Sequence, residues 1–367
     1  MRNCFASRGF LPCSDPDDKL TLSEDFERLD RLGEELPSLL LEDDCRTFLS
    51  QQIIPTWPSD NLSPGLLTQA RLYYLRLGFI ASGYINQIGQ PHCHTLPANI
   101  AKPLVKIARL LDRKPILSYD GYALYNWKRY DTDKPIELGN IDTLQNFVHL
   151  YDEHWFILIH VEIEAIAARI LNAIEIWHCA LDYTDSSREA RQQTAMDDIS
   201  AAIFAMTKVL QRIPDKMSDQ LYFSHFRPYI GHFDDVSYEG TDTTVSFRGE
   251  TGAQSSIMPT LLAFLKIPHQ QTRLLAHLQD MLNYMPQQHR QYIKQVEQLP
   301  DPKPITPPEQ FDEILEGIAQ FREVHYHWAI KYIARRGNDQ QGTGGTPYLK
   351  WLKFLIDETR SYKHNNR

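Results

Sequence analysis

Apolar residues recur at intervals of three and four along most of the chain, the spacing that gathers side chains on one side of an α-helix. The clearest case is predicted over residues 307 to 335. There Phe311, Ile314, Leu315, Ile318, Phe321, His325, Trp328, Ala329 and Tyr332 share one face. His325 therefore points into apolar surroundings, whereas His327, about 200° further round at 3.6 residues per turn, points away. A second stretch, starting near residue 141 and reading LQNFVHLYDEHWFILIHVEIEAIAARILNAIEIWHCALD, is apolar nearly all round, as expected of a helix in the middle of a bundle. Further helices are predicted from Ser23, a plausible N-cap, and at 66 to 86, 98 to 112, 186 to 212, 216 to 231, 256 to 266, 269 to 283 and 286 to 298. Residues 231 to 252, with VSYEG and TTVSF, alone read as irregular or strand-like. The expected fold class is all-α: a small, mostly helical N-terminal domain over 1–140 and a large helical bundle over 141–367.

Composition narrows the function without naming it. A net charge of -9 argues against general nucleic-acid binding, which needs a basic surface. No apolar run approaches the roughly 18 residues needed to cross a bilayer, so no membrane partner is expected. The first twenty residues lack a secretory apolar core, which makes a cytoplasmic location the default expectation. Cys4, Cys13, Cys45, Cys93 and Cys179 are odd in number, widely spread and without a CxxC pair, which fits reduced thiols better than a disulfide framework.

Few side chains suggest chemistry by pattern. His92, Cys93 and His94 are adjacent and do not easily converge on one ion. Glu175 and His178 form a single ExxH, and a di-iron carboxylate site would need a second one. His160 and Glu164, one turn apart, read as a satisfied polar pair. Arg227, in YFSHFRPY, sits beside aromatic residues, either ion-paired to a buried acid or as a planar fork for a substrate carboxylate. GTGGT at 342 to 346 lacks the GK[ST] ending of a phosphate loop and is either a connector or a glycine-hinged lid. Buried, His325 is either a hydrogen-bonded core residue or a metal or haem ligand. GxSxG, a Rossmann GxGxxG and HExxH are absent.

Taken together and in order, RGFLP, LPANIAKPL, ILSYDGYALYNWKRYDTDKP, VEIEA, YFSHFRPY, the segment from VSYEG to GAQSS, DMLNYMPQQHR, FREVH with KYI, and GTGGT ahead of a helix resemble the indoleamine 2,3-dioxygenase family, haem enzymes that open the indole ring of tryptophan. The resemblance implies that His325 is the proximal ligand of haem b iron, its other nitrogen hydrogen-bonded, and that Arg322 pairs with a haem propionate. It implies that Arg227 holds the substrate carboxylate, with Tyr222 and Phe223 lining the indole pocket. Tyr119, Tyr122 and Ala123 would close that pocket over the distal face, and Thr343 would belong to a lid near the substrate ammonium. Counting three residues back from VE puts Leu158 where mammalian members carry a small hydroxyl residue, and His154 where they carry a pocket phenylalanine. Arg248 and Glu250 add bulk and charge before GAQSS. No side chain is assigned as an acid or base.

The expected activity is insertion of O2 across the indole C2–C3 bond, most simply L-tryptophan to N-formylkynurenine, with O2 and an indole as partners and an external electron donor keeping the iron ferrous. Two alternatives are a relative oxidising another indole, by one oxygen atom or two, and a non-catalytic haem-binding sensor.

Overall fold

The computed structural model describes residues 2–185, 187–270, 272–336 and 347–364. Its helices are α1 (Arg2–Arg8), α2 (Glu24–Leu39), α3 (Cys45–Ser50), α4 (Leu67–Ile85) and α5 (Ala98–Leu110), then α6 (Tyr151–Ile166), α7 (Ala168–Ala180), α8 (Ser187–Leu210), α9 (Ile213–Lys216) and α10 (Asp219–Leu221). After these come α11 (Ile257–Leu265), α12 (Arg273–Leu282), α13 (Gln287–Glu297), α14 (Pro308–Ala329) and α15 (Tyr348–Ser361). The fold is all-α, as the periodicity predicts. The strand-like segment forms a hairpin of β4 (Phe233–Tyr238) and β5 (Thr243–Phe247), with Val236 opposite Val245, and the short β1 (Thr95–Leu96) runs parallel to β4. The pair β2 (Lys128–Arg129) and β3 (Ile141–Asp142) closes an antiparallel turn.

Buried side chains gather into two cores. One is built on α2, α4 and α5 with the β4 strand; the other is built on α7, α8, α11 and α14. Helix α6 serves both, sending Ile157, Leu158 and Val161 into the first and Trp155, Ile159 and Ile163 into the second. This double burial is why its sequence is apolar all round. No helix among the described residues is long and apolar enough to cross a membrane.

The apolar run predicted as one central helix is two. Helix α6 ends at Ile166 and α7 begins at Ala168, with Gly9 pressed against the join. Gly9 has φ +64°, and a Cβ there would stand 2.2 Å from the Glu164 carbonyl oxygen and 3.0 Å from the Ala168 nitrogen. Only glycine allows both that conformation and that approach, which gives RGFLP its structural meaning. Cys4 and Cys13, on either side of this turn, are disulfide-bonded, which corrects the expectation of five reduced thiols; Cys45, Cys93 and Cys179 are free. A nine-residue separation carries no bonding signal in sequence; the reversal of the chain at Gly9 brings the two Cα atoms to 5.4 Å.

Three helical turns widen to i→i−5 bonding, at Asp120–Leu124, Tyr222–Phe226 and Ile330–Ala334. The defining bonds run from the N–H of Tyr125 to the Asp120 carbonyl (2.9 Å), from Arg227 to Tyr222 (3.0 Å) and from Arg335 to Ile330 (3.1 Å). The helix predicted over 216 to 231 is thereby reduced to the one turn of α10 and this wide turn, and Pro228, which has no N–H to donate, ends it.

Candidate functional site

A cavity of about 570 Å³ lies within the second core, with a predominantly apolar wall. Helix α14 supplies Phe321, Arg322, His325, Trp328 and Ala329; α6 supplies Phe156, His160 and Ile163; α15 closes another side with Trp351, Leu352 and Leu355. Tyr119, Tyr222, Glu250 and Ser255 bring polar atoms to the wall. The volume lies in the range of cofactor and ligand cavities.

The seam on α14 places His325 at this wall. Its side chain is accessible, yet it lies deep inside the protein: the surface it exposes is cavity wall. Burial, and then the nearby His160, lowers its pKa to about 4, so the imidazole is neutral and keeps a lone pair. Among the described residues neither ring nitrogen has a hydrogen-bond partner, which differs from the expectation of a fixed second nitrogen. One turn earlier Arg322 is buried and donates from Nη1 to the Leu355 carbonyl (2.9 Å) and to the Thr359 hydroxyl, tying α14 to α15. Desolvation lowers its pKa to about 10, partly offset by Glu358, so it remains a cation at the cavity edge.

The wall contributed by α6 corrects two expectations. His154 and Leu158 do not line the cavity. His154 turns outward, its Nδ1 2.9 Å from Asp142 Oδ1 and from Thr143 Oγ1, and Leu158 is buried in the first core. Phe156 and His160 occupy the cavity face. Counting back from VE named residues that do not face the cavity, because a helix apolar on every side offers no polar face from which its phase can be read. His160 Nδ1 is 2.7 Å from the Phe156 carbonyl, and its ring meets those of Phe156 (4.6 Å, 65°) and Tyr119 (6.0 Å, 77°).

Tyr119 is positioned from two sides. The Asp120–Leu124 turn is fixed by a buried ion pair from Arg113 Nε to Asp120 Oδ2 (2.8 Å), and the Tyr119 N–H donates to Gln254 Oε1 (2.9 Å). The Tyr119 and Ser255 hydroxyls donate to Glu164 Oε1 at 3.0 and 2.7 Å, while Glu164 Oε2 is buried with no hydrogen-bond partner among the described residues. Desolvation raises the Glu164 pKa to about 7. Glu250, at the cavity wall, is raised to about 8 by the same cause. Sequence pattern marked its charge but not its burial.

Tyr122 and Ala123 also stand away from the cavity, since the wide turn directs them into the first core. The Tyr122 hydroxyl donates to Glu153 Oε1 (3.3 Å) and its ring stacks on Phe79. Tyr222 does line the cavity. Arg227 hydrogen-bonds the Tyr222 hydroxyl and lies over the Phe223 ring at 5.4 Å; neither Arg227 nor Phe223 is part of the cavity wall. Thr343 and the rest of GTGGT lie outside the described residues. Among the described residues no three His, Cys, Asp or Glu side chains converge as a metal site, which sets aside a centre built on His92–Cys93–His94 or on Glu175 and His178.

Known proteins resemble this chain along most of its length. It is similar to an indoleamine 2,3-dioxygenase of Saccharomyces cerevisiae, 27% identical over 96% of this chain and 90% of the yeast protein. Similarity to indoleamine 2,3-dioxygenase 1 of Rattus norvegicus is 26% over 89% and 86% of the two chains, and to a protein named myoglobin from Haliotis madaka 26% over 92% of each. The sequence model of the family described as indoleamine 2,3-dioxygenase matches residues 3–340, and the chain belongs to that family.

Proposed function

We propose that this oxidoreductase binds haem b in the 570 Å³ cavity and inserts O2 across the C2–C3 bond of an indole, with L-tryptophan to N-formylkynurenine as the reaction. The observation that carries the reading is a neutral, unpartnered imidazole, His325, in a largely apolar cavity with the Arg322 cation at its edge, in a chain of this family. These features suit the group. Iron needs an imidazole lone pair, the macrocycle needs apolar walls, and a propionate needs a cation that is not already neutralised. In this reading His325 would hold the iron and Arg322 would hold a propionate. Haem, when bound, supplies the redox chemistry with O2.

The chain supplies position and exclusion of water. Phe156, Ile163 and Tyr222 give the indole an apolar seat, and Tyr119 closes it. Arg227, bonded to the Tyr222 hydroxyl, receives the substrate carboxylate beside the seat. Thr343 would act near the substrate ammonium, and the part of residues 1–140 that carries Tyr119 closes the distal side of the cavity.

The test is the product formed under 18O2 by the reduced, haem-loaded chain. Two labelled atoms in a formylated, ring-opened product support the proposal; one atom in an intact ring points to another oxidation. A second reading, a haem protein without turnover, is supported by the similarity to a protein named myoglobin. Absence of turnover with any indole, together with a stable ferrous haem spectrum, would favour it.

A further inference from the structure

A second cavity, of about 160 Å³, lies between α4, the C-terminal end of α5, the Asp120–Leu124 turn and the first turn of α13, and it shares no lining residue with the 570 Å³ cavity. Its lining has two characters. Leu62, Leu67, Leu110 and Leu111, all half-buried, give it apolar surface. Arg71, Arg113 and Asp120 bring the charges, two positive and one negative, so one cation is in excess. Asp120 is committed to Arg113: the two side chains are 1% and 2% exposed, and Arg113 Nη1 and Asp120 Oδ1 keep no hydrogen-bond partner among the described residues. Arg71 makes no ion pair among the described residues, and its guanidinium lies over the Tyr125 ring at 4.7 Å. The excess charge is felt at His289, whose pKa is lowered by burial and then by Arg113 and Arg71. The first N–H groups of α13 have no partner within their own helix and add partial positive charge.

A guanidinium without a carboxylate partner, set beside leucine surface, matches a ligand with one anionic head and a short apolar tail. We propose that this cavity binds a short-chain monocarboxylate, its carboxylate on the planar fork of Arg71 and its alkyl chain against the four leucines. A neutral ligand leaves Arg71 unmatched, and a dianion exceeds the single uncompensated charge, because Asp120 already neutralises Arg113. The volume is well above the roughly 15 Å³ that one water needs, which leaves room for such an ion. The site stands whatever fills the larger cavity.

The test is a ligand-observed NMR titration of the full-length protein as isolated, at fixed ionic strength, with butyrate, butyramide and acetate as probes. Butyrate is expected to bind saturably and to be favoured over butyramide, its neutral isostere, by about tenfold, the order of one hydrogen bond to a charged group. It should be favoured over acetate by about fivefold, for two further CH₂ groups partly removed from water. Arg71→Gln is expected to bring butyrate and butyramide to within about twofold of each other, and Arg71→Lys, which keeps the charge without the fork, should restore part of the preference. Binding that does not saturate, butyramide bound as tightly as butyrate, or acetate bound as tightly as butyrate overturns the proposal. So does an undiminished preference in Arg71→Gln, which would place the anion at another arginine. If Arg71→Gln does not fold, Leu110→Glu at its half-buried position decides instead. It sets a like charge in the lining and should weaken butyrate at least tenfold, and an unchanged affinity overturns the proposal.

Discussion

Helices α14 and α6 each lend a histidine to the same cavity, and they do it by different means. Helix α14 has one apolar seam, and His325 lies on it with both ring nitrogens free among the described residues, next to an arginine that ties the helix to α15. Helix α6 is buried on both sides, and His160 is bound to its own helix through Phe156 O. A helix with one apolar face announces which residues it turns inward. A helix between two cores is apolar whatever its rotation, so its phase is set by the neighbours that pack on it. The hydrogen bond to Phe156 O fixes the tautomer of His160, whereas His325 has no such bond among the described residues.

The largest expected effect separates the two histidines. His325→Ala should abolish the Soret band of imidazole-bound haem, and His160→Ala should keep it; loss in the second variant with retention in the first would reverse the assignment. Next comes the face of α6 turned from the cavity. Leu158→Ala, in the first core, should cost about 2–4 kcal/mol by denaturant unfolding while leaving the affinity for an indole unchanged, and a change in affinity would return Leu158 to the site. Gly9→Ala should destabilise by about 1–3 kcal/mol through its left-handed backbone and its contact with Glu164 O, read as a fall in Tm.

A smaller effect concerns pH. Glu164 is raised from 4.5 to about 7 in the folded state, so between those values the native chain holds a proton that the unfolded chain has lost. Its contribution is fully present below pH 4.5 and is lost as pH rises through about 7. Glu153 and Glu250, both raised to about 8, act in the same direction. Glu164→Gln should flatten the decline of stability over that interval, and an unchanged slope would show that Glu164 is ionised throughout. The smallest effect is expected from His154→Ala, about 0.5–1.5 kcal/mol for the lost contacts with Asp142 and Thr143, with no effect on indole affinity.

Sequence periodicity alone determined the all-α class, the positions of most helices, and His325 on an inward seam, because a helix with water on one side must alternate apolar and polar residues every turn; Arg322 entered only through the family resemblance. It also marked 231–252 as strand-like, and the β4–β5 hairpin is there. The tertiary structure decided the rest. It placed Phe156 and His160 at the cavity rather than His154 and Leu158, through packing against two cores at once. The wide turns at Asp120 and Tyr222 carried Tyr122, Ala123 and Phe223 out of the wall and left Tyr119 and Tyr222 in it, since one added residue in a turn rotates all that follows. Gly9, wedged at the α6–α7 join, and the Cys4–Cys13 bond beside it depend on which segments meet, and local spacing carries no record of that.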